Sequence, residues 1–507
     1  MLDGAATERR QAKMICVSIG RGRHRQMIAE HKHLAEHGVP LVELRVDWIL
    51  RPVNLKRLLV DRPCPVVFTC RREADGGKWI KPEAERQILL RSAIVEGVDY
   101  VDLEEDVAAT IPRYGKTKRI ISYHNFRETP ENLWDIHKRL AALDADIVKL
   151  ATMAHSQYDN LRMMRLVKEA KIPTIGLCMG EVGMPTRLLC LKFGSPFSFA
   201  TFHADRALAP GQIAFKDMRE LYRAHKLNAA TEVYGVIADP VAHSLSPRVH
   251  NGGFATLKLN KVYLPFRVGR EELPSFLANC RELGVKGLSV TIPHKEEVLR
   301  YLSQTDEASE AIGAVNTIDM SGATAIGSNT DCSAALASII RTMGKEERPR
   351  PIEGVRALIL GAGGVARAIV YGLQQAGAEV IITNRTMSRA EDLARRFKAT
   401  AVEWNDRMSV KCDLLVNCTP VGMHPQVDES PFERRGLHGN LVVFDTIYNP
   451  EQTLLVKEAR EAGCATITGV DMFVAQAARQ FEVFTGQPAP LEVMRTQMMR
   501  GITAVKS

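Results

Sequence analysis

Residues 355–366 read VRALILGAGGVA, and this stretch decides the fold of the second half of the chain. An apolar strand runs into a glycine turn with the spacing G-x-G-x-x-A, and the turn opens a helix. The glycines permit a tight turn and a close approach to a pyrophosphate at the helix N-terminus. The stretch therefore predicts a dinucleotide-binding βαβ unit. Its predicted cofactor contacts are Gly361, Ala362, Gly363, Gly364, Val365 and Ala366.

The next strand, residues 380–383, predicts which dinucleotide is bound. It ends at Asn384, Arg385 and Thr386. An acidic residue is expected about 20 positions after the glycine turn of an NAD site, whereas an arginine suits the extra phosphate of NADP. The predicted cofactor is therefore NADP, bound in part by these three residues.

The first half, residues 14–225, repeats a strand-then-helix pattern eight times. Helix-like stretches at residues 25–36, 82–95, 130–143 and 156–170 have Pro or Ser at plausible starts. Eight such units in about 210 residues predict a parallel (β/α)8 TIM barrel with its active site at the C-terminal strand ends. The predicted strands begin near Met14, Leu41, Pro65, Val98, Lys118, Ala145, Pro173 and Pro196.

Length and composition limit the class of protein. A chain of 507 residues predicts about three domains. Apolar residues make up 45% and charged residues 25%, which excludes fibrous and disordered classes. The net charge of +8 favours anionic ligands, but no basic run suggests a nucleic-acid partner.

The ten cysteines are scattered, with no spacing typical of disulfide frameworks or metal sites, so we expect no metal and a reducing cytoplasm. Residues 1–13 are polar, and no apolar run is long enough to span a membrane. Secretion and membrane association are therefore not expected.

Three charged side chains alternate along the second predicted strand, residues 41–48. Glu43, Arg45 and Asp47 share one face, while the apolar residues between them face the helices. Charges inside a barrel are costly unless they pair or hold a polar ligand. This face therefore indicates a binding site, with a structural ion-pair network as the alternative.

Lys149 lies within the apolar run of residues 146–151, where a lysine is rarely buried. An amine removed from water favours its neutral form, which attacks carbonyls and forms a Schiff base. His124 ends another strand and is a candidate general acid–base. Taken alone, a histidine at a strand end is more often structural.

Together these residues resemble the type I 3-dehydroquinate dehydratases over essentially all of residues 14–225. The resemblance rests on ELRVD at 43–47, FTCR at 68–71 before Gly76 and Gly77, SYHNF at 122–126, Lys149, MPTR at 184–187 and APGQ at 209–212. It implies that Lys149 forms an imine with the substrate ketone while His124 removes the adjacent proton and assists loss of water. The implied substrate contacts are Glu43, Arg45, Arg71, Asp75, Arg187 and Gln212.

Two positions depart from that family pattern. Asp75 stands where the family usually has a glutamate that bonds the catalytic histidine, and Leu208 stands where a loop serine is usual. The shorter aspartate lengthens that bond or leaves it to water. The leucine removes a hydroxyl that could contribute about 1 kcal/mol of hydrogen bonding. We expect a working but slower first site.

In the second half, Ser244 and Ser246 precede a helix predicted to start at Pro247, where a carboxylate is favourably bound. Ordinary serine capping is the alternative. Lys295 and Asp331 could pass the proton that accompanies hydride transfer, unless they form a surface ion pair. Thr291 ends the strand before Lys295, and Asn316 could bind a ring hydroxyl.

These motifs resemble shikimate dehydrogenases from Tyr234 to about Pro490. The similarity includes NCTPVGM at 417–423, DTIYNP at 445–450 and GVDMF at 469–473. It implies Lys295 and Asp331 as the catalytic pair. The implied substrate contacts are Ser244, Ser246, Thr291, Asn316, Tyr448 and Gln476. Thr419 and Gly469 join the implied NADP contacts.

The order of the two halves resembles the bifunctional enzymes of plants, which catalyse successive steps of the shikimate pathway of aromatic amino-acid biosynthesis. The expected domains are a barrel at 1–228, a substrate-binding lobe at 231–345 completed by about 470–507, and a Rossmann NADP-binding lobe at 350–470. Without a transit-like segment we expect a cytoplasmic enzyme, monomeric or homodimeric, that acts on small molecules.

Two alternatives are weighed. The second half could oxidise quinate, but Ser244, Ser246 and Thr291 favour shikimate and Arg385 opposes NAD. The chain could instead be a non-catalytic sensor of the quinate pathway, but its retained candidate catalytic residues argue against that.

Overall fold

The computed structural model describes residues 14–344 and 352–505. Residues 1–13, 345–351 and 506–507 lie outside the described residues. The described residues divide into two compact units, one comprising residues 14–233 and 260–284 and the other residues 234–259, 285–344 and 352–505.

Eight parallel strands form the sheet of the first unit, in the order β7-β6-β5-β4-β3-β2-β1-β8. The strands are β1 (Met14–Ile19), β2 (Leu41–Arg45), β3 (Val66–Thr69), β4 (Tyr100–Glu104), β5 (Lys118–Asn125), β6 (Ile147–Met153), β7 (Thr174–Met179) and β8 (Phe197–Thr201). Because β8 pairs with β1, the sheet curls into the predicted barrel. All eight predicted strands are confirmed.

Helices follow the barrel strands in alternation. They are α1 (His24–Glu36), α2 (Leu55–Leu59), α3 (Glu83–Val95), α4 (Glu105–Ala108), α5 (Leu133–Ala141), α6 (Gln157–Glu169), α7 (Gly180–Gly183) and α8 (Thr186–Lys192). In β6, Val148 and Leu150 are fully buried, while Lys149 and Ala151 line a cavity. The two-residue period of a strand thus separates the core from the site.

One detail of the second strand was predicted wrongly. β2 ends at Arg45, and Val46–Trp48 forms a 3-10 turn, so Asp47 does not continue the strand face. The Asp47 carboxylate instead accepts two hydrogen bonds from the Arg45 guanidinium, at 2.9 and 2.8 Å. The turn therefore neutralises Arg45 from the side.

A mixed six-stranded sheet follows, in the order β10-β9-β11-β13-β14-β12. Its strands are β9 (Glu232–Ala238), β10 (Lys261–Arg267), β11 (Val285–Val290), β12 (Gln304–Thr305), β13 (Thr317–Asp319) and β14 (Ile326–Ser328). The helices in this region are α9 (Ser246–Thr256), α10 (Leu273–Asn279), α11 (Glu307–Ile312) and α12 (Thr330–Met343). α9 begins one residue before its predicted start at Pro247.

A parallel sheet with the order β17-β16-β15-β18-β19-β20 completes the second unit, and this is the Rossmann order. Its strands are β15 (Arg356–Leu360), β16 (Glu379–Thr383), β17 (Thr400–Val402), β18 (Leu414–Asn417), β19 (Val442–Asp445) and β20 (Ala465–Ile467). Its helices are α13 (Gly364–Gln375), α14 (Met387–Phe397) and α15 (Leu454–Glu461). The strand–turn–helix context predicted around Gly361 is confirmed.

Two last helices, α16 (Gly469–Thr485) and α17 (Leu491–Val505), return to the region of the mixed sheet. α16 packs against α12 and α9, and α17 packs against α9. Close packing requires small residues here, since a Cβ at Gly253 would lie 2.7 Å from the Phe481 ring. Residues far apart in the chain therefore share one core.

Candidate active sites

The barrel contains a narrow cavity of about 60 Å³ at the C-terminal ends of its strands. It brings together all eight residues that the sequence predicted for the first site. These are Glu43, Arg45, Arg71, Asp75, His124, Lys149, Arg187 and Gln212. Leu208, Phe126 and Phe199 supply apolar walls.

Lys149 is buried between acidic and aromatic groups. Its Nζ donates to Asp102 Oδ2 at 2.9 Å and lies 4.0 Å from Glu43 Oε1. The ammonium is also 4.3 Å from the centre of the Phe199 ring. These neighbours hold the amine at a fixed point in the cavity, as a reaction with a bound ketone requires.

Asp102 is a buried hub that the sequence analysis missed. It forms an ion pair of 2.7 Å with Arg71 and accepts a hydrogen bond of 2.6 Å from Ser122. Burial would raise the pKa of Asp102, but the charges of Arg71 and Lys149 hold it well below its usual range. Asp102 therefore stays a carboxylate beside the lysine.

His124 lies in the same cavity with one ring nitrogen unsatisfied. Its Nδ1 is buried and has no hydrogen-bond partner among the described residues, which is unlike a structural histidine. Burial, together with the charges of Arg71 and Lys149, lowers the pKa of His124 well below its usual value. The ring is therefore neutral and able to accept a proton.

Arg187 differs from the other cations of the cavity, because no described carboxylate forms an ion pair with it. Its Nη2 donates to the Pro210 carbonyl at 2.9 Å, while its buried Nε has no described partner. Burial lowers the pKa of Arg187 to about 10. A buried guanidinium with spare donors is a suitable partner for a ligand carboxylate.

The loop that follows β8 carries Gln212 and Leu208. Gln212 Oε1 accepts a hydrogen bond of 2.7 Å from the Leu208 backbone N–H. Its carbonyl oxygen thus holds the loop, while the Leu208 side chain lines the cavity. An apolar group therefore occupies the place of the family's serine.

Asp75 also lines the cavity, but its hydrogen-bond partner in the structure is not the histidine. Its Oδ2 accepts a hydrogen bond of 2.7 Å from Arg72, whose guanidinium also binds Asp106. A Cβ at the neighbouring Gly76 would lie 2.2 Å from the Phe126 ring, and that ring stacks on His124. The loop of Asp75 therefore contacts His124 through Phe126.

The second unit contains a wider cavity of about 370 Å³. It brings together the eight residues that the sequence predicted for the catalytic pair and its substrate. These are Ser244, Ser246, Thr291, Lys295, Asn316, Asp331, Tyr448 and Gln476. The volume falls within the range typical of small-ligand sites.

Lys295 and Asp331 are 36 positions apart in the chain, yet their side chains meet at 2.6 Å between Nζ and Oδ2. Lys295 follows β11, and Asp331 lies in the first turn of α12, which Asn329 caps. The pair is partly buried and lines the cavity, so it is not a pair on the outer surface. A lysine held against a carboxylate can pass a proton to a bound ligand.

Hydrogen bonds fix the orientation of Asn316. Its Oδ1 accepts from the Thr330 N–H at 2.9 Å, and its Nδ2 donates to Thr330 Oγ1 at 3.0 Å. Gln480 Nε2 donates to the Asn316 carbonyl at 3.0 Å, and Ser289 Oγ donates to Gln480 at 2.8 Å. Ser289 and Gln480 also line the cavity, and the sequence analysis assigned them no role.

The two serines favour the ligand-binding interpretation over serine capping. Ser244 Oγ accepts the Ser246 N–H at 3.4 Å, but the N-cap residue of α9 is Leu245 and no described side chain caps the helix. Both serine side chains line the cavity. The start of α9 therefore keeps N–H groups for a ligand carboxylate.

The predicted cofactor turn has the backbone geometry that a dinucleotide needs. Gly361 has φ of +107°, and a Cβ there would lie 2.9 Å from the Cys418 carbonyl oxygen. At Gly363 a Cβ would meet nothing within 4 Å, so the turn has space beside it. Val365, in the first turn of α13, lines the cavity. Ala362, Gly364 and Ala366 belong to the same turn and helix start.

The other predicted cofactor residues lie at neighbouring strand ends. Arg385 is exposed after β16 and forms no ion pair with a described residue, so its charge is available to a phosphate. Asn384 Nδ2 donates to the Thr386 carbonyl at 2.9 Å, which shapes this segment. Thr419 donates to Asn417 after β18, and Gly469 begins α16 at the cavity wall.

No cluster of three or more potential metal ligands occurs among the described residues. Within residues 14–344 and 352–505, no helix is both long enough and apolar enough to cross a membrane.

Comparison with protein families gives matches along most of the chain. A profile described as type I 3-dehydroquinase matches residues 15–229. Profiles for the shikimate dehydrogenase substrate binding domain and the shikimate 5'-dehydrogenase C-terminal domain match residues 236–318 and 469–499. A profile for NADP oxidoreductase, coenzyme F420-dependent, matches residues 356–446.

Individual relatives give the same picture. A protein of Arabidopsis thaliana named bifunctional 3-dehydroquinate dehydratase/shikimate dehydrogenase, chloroplastic, is 38% identical over 95% of this chain and 83% of its own length. A Methanopyrus kandleri shikimate dehydrogenase (NADP(+)) is 43% identical over 54% of this chain and 97% of its own. A shikimate dehydrogenase crystallised with NADP+ matches 54% of this chain and 97% of its own, with a TM-score of 0.51 and 36% identity.

Proposed function

The chain belongs to the family of bifunctional 3-dehydroquinate dehydratase/shikimate dehydrogenases, and from this premise we propose which of its residues perform the two reactions. The enzyme dehydrates 3-dehydroquinate to 3-dehydroshikimate and reduces 3-dehydroshikimate to shikimate with NADPH. One observation carries our assignment: each cavity contains a lysine within 2.9 Å of an aspartate.

In the barrel, the Lys149 ammonium releases one proton to solvent, its neutral amine attacks the substrate ketone, and loss of water gives an imine. His124, neutral and partly buried, removes a proton from the adjacent carbon. The electron pair forms the new double bond, and the leaving hydroxyl takes the proton from His124 and departs as water. Hydrolysis of the imine then returns the ketone product and the free amine of Lys149.

Arg187 binds the substrate carboxylate in this proposal, because its guanidinium is buried without a carboxylate partner among the described residues. Gln212 orders the loop beside the ring. Glu43, Arg45 and Arg71 form the polar floor, where Glu43 accepts hydrogen bonds from Ser18 and Thr69 at 2.6 and 2.9 Å. Asp75 orders the wall beside His124.

In the second cavity, Lys295 and Asp331 hold the proton that the substrate oxygen gains on reduction. NADPH, when bound, supplies the hydride. Ser244 and Ser246 bind the substrate carboxylate at the start of α9, and the remaining predicted side chains bind ring hydroxyls. These contacts come from Thr291, Asn316, Tyr448 and Gln476.

The glycine turn fits the cofactor, since Gly363 has open space and Arg385 has an unpaired charge among the described residues. In this proposal the cofactor is held by residues 361–366, Asn384, Arg385, Thr386, Thr419 and Gly469.

The proposal keeps the domain limits predicted from the sequence. The barrel ends at about residue 228, the substrate-binding lobe spans 231–345 and is completed by about 470–507, and the NADP-binding lobe spans 350–470. All ten cysteines are free thiols, which agrees with the proposed cytoplasmic location. We expect a monomer or a homodimer, which sedimentation would distinguish.

The test follows both reactions in one cuvette. Purified enzyme receives 3-dehydroquinate, the enone absorbance of the product is recorded, and NADPH oxidation is then followed. Lys295→Ala should abolish the second signal alone. Lys149→Ala should abolish enone formation, and NADPH oxidation should return when 3-dehydroshikimate is added. Lys168→Ala, at an exposed position of α6, is the matched control. The assignment would be contradicted if Lys149→Ala did not oxidise NADPH with added 3-dehydroshikimate, if Lys295→Ala lost enone formation, or if either variant kept both signals.

A further inference from the structure

Asp445 is a buried acid that neither reaction uses. It ends β19, pairs in register with Asn417 at the end of β18, and is fully buried. Its Oδ1 accepts hydrogen bonds from Asn417 Nδ2 and the Ile447 N–H, both at 3.1 Å. Its Oδ2 accepts the Thr453 hydroxyl at 2.6 Å. The carboxylate thus joins the end of β18, the segment that follows β19 and the segment before α15.

The segment that follows β19, residues 446–448, forms part of the substrate cavity. Thr446 and Tyr448, on either side of Ile447, line that cavity. A Cβ at Gly469 would lie 2.3 Å from the Ile447 carbonyl carbon, so the Ile447 backbone is in direct contact with the start of α16. The position of Ile447 therefore sets the position of a cavity wall.

The end of β18, residues 417–419, supports the cofactor turn. Asn417, held by Asp445, accepts hydrogen bonds from the Thr419 N–H and hydroxyl at 2.9 and 2.7 Å. Cys418 lies between Asn417 and Thr419 in the chain. Its carbonyl oxygen would be only 2.9 Å from a Cβ placed on Gly361. Asp445 is thus linked through Asn417 to the backbone beneath the proposed dinucleotide site.

We propose that Asp445 is a positioning residue of the reductase, which holds the substrate wall at residues 446–448 and the cofactor turn support at residues 417–419 in a fixed relation, and that protonation of Asp445 releases this hold. The inference rests on the proposed function of the second cavity. It adds a residue that acts through others and touches neither ligand.

The electrostatic surroundings of Asp445 make such protonation accessible. Burial raises the pKa of Asp445 to about 6, against the lowering effect of its hydrogen bonds. Its donors from β18 and from the segment before α15 are neutral, and no described lysine, arginine or histidine forms an ion pair with it. The titratable Cys418 faces it, and burial together with Asp445 raises the pKa of that thiol.

The direction of the pH effect follows from the hydrogen bonds. Above pH 6 the charged carboxylate accepts three bonds, and bonds to a charged acceptor are roughly twice as strong as neutral ones. As the pH falls through about 6, Asp445 gains a proton, and Oδ2 can no longer act only as an acceptor toward Thr453. The KM for 3-dehydroshikimate should therefore rise as the pH falls.

Asp445→Asn tests this proposal, because the amide imitates the protonated acid at every pH. At pH 7.5 we expect the KM values for 3-dehydroshikimate and NADPH to rise about tenfold, while kcat changes less because Lys295 and Asp331 remain. The inflection of KM near pH 6 should disappear. The melting temperature should not fall, because a charge that is costly to bury has been removed.

Asp413→Asn is the matched control. Asp413 lies at the opposite end of β18 and accepts the Arg356 N–H at 2.9 Å, away from the cavity. The dehydratase rate of the same chain reports whether each variant is folded. If Asp445→Asn matches Asp413→Asn in KM, or keeps the inflection, the proposal is overturned. If the parent enzyme does not oxidise NADPH at all, the proposed function fails instead.

Thr453→Val provides a second measurement if Asp445→Asn does not fold. It removes the donor to Oδ2, so the pKa of Asp445 should rise and the KM inflection should move to higher pH. A parent enzyme without an inflection between pH 5 and 7, or a Thr453→Val inflection at the parental pH, would contradict the proposal.

Discussion

The two cavities each hold a lysine against an aspartate, but the two pairs differ in burial and in the other ion pairs that they form. In the barrel, the side chains of Lys149 and Asp102 are 7% and 0% exposed, and Asp102 also pairs with Arg71. In the reductase, Lys295 and Asp331 are 25% and 11% exposed, and neither forms an ion pair with another described residue. The barrel pair is one part of a buried network, whereas the reductase pair is local.

This difference predicts how strongly a substitution in each pair affects the stability of the protein as well as its activity. Removing one partner from a buried network leaves other charges uncompensated, which costs several kcal/mol, whereas a partly exposed pair contributes little to stability. The barrel site should therefore couple activity to stability, and the reductase site should separate them.

The largest effect is expected for Asp102→Asn. Lys149 and Arg71 would lose a shared buried carboxylate, so the dehydratase rate should fall at least 100-fold and the unfolding free energy by about 3–5 kcal/mol. Enone formation and chemical denaturation measure the two quantities. Asp106→Asn, which alters an exposed carboxylate on α4, is the control. Unchanged stability would contradict the network description.

Asp331→Asn should separate the two quantities. Loss of a general acid–base group should lower the NADPH oxidation rate roughly 100-fold or more. The unfolding free energy should change by no more than about 1 kcal/mol, because the pair is partly exposed. Asp319→Asn is a matched change at the end of β13. A destabilisation as large as that of Asp102→Asn would remove the contrast between the cavities.

Arg187→Met tests the one cation of the barrel cavity that lacks a described carboxylate partner. Loss of a charged hydrogen bond to the substrate should raise the KM for 3-dehydroquinate about 10- to 100-fold. Stability should not fall, because burial already disfavours the charged form of Arg187. Steady-state kinetics and thermal melting decide, and a lower melting temperature with an unchanged KM would refute the assignment.

Arg385→Gln concerns only the reductase. The exposed guanidinium is proposed to bind the extra phosphate of NADP, so the KM for NADPH should rise about tenfold and that for NADH should not. Arg395→Gln, exposed on α14, is the control. Equal changes for both cofactors would contradict this role.

The smallest effect is expected for Leu208→Ser. A hydroxyl restored at the cavity wall should raise dehydratase kcat/KM a few-fold, consistent with about 1 kcal/mol for one hydrogen bond. Unchanged turnover would make the departure from the family pattern neutral.

The barrel could be predicted well because its information is local. Each strand is short and apolar, and alternation in β2 and β6 already separates the core face from the site face. The same alternation runs through Tyr100–Glu104, where Asp102 and Glu104 lie on one face and both pair with Arg71. That signal was present in the sequence.

The reductase site depends on contacts that no local pattern contains. Lys295 meets Asp331 across 36 positions of the chain, and Gln480 reaches the Asn316 carbonyl across 164 positions. The end of β2 was also misjudged, because a strand and a 3-10 turn can carry the same apolar residues. Tertiary packing decides where such a strand ends and a turn begins.

The packing of α17 on α9 also concerns the order in which the protein is made. A Cβ at Gly501 would lie 2.8 Å from the Leu245 side chain, so these distant segments are in close contact. Ribosomes add about 5–20 residues per second, so α9 emerges roughly 10–50 s before its partner exists. During that interval the apolar side of α9 is a natural target for chaperones, while the barrel strands have already met all their neighbours.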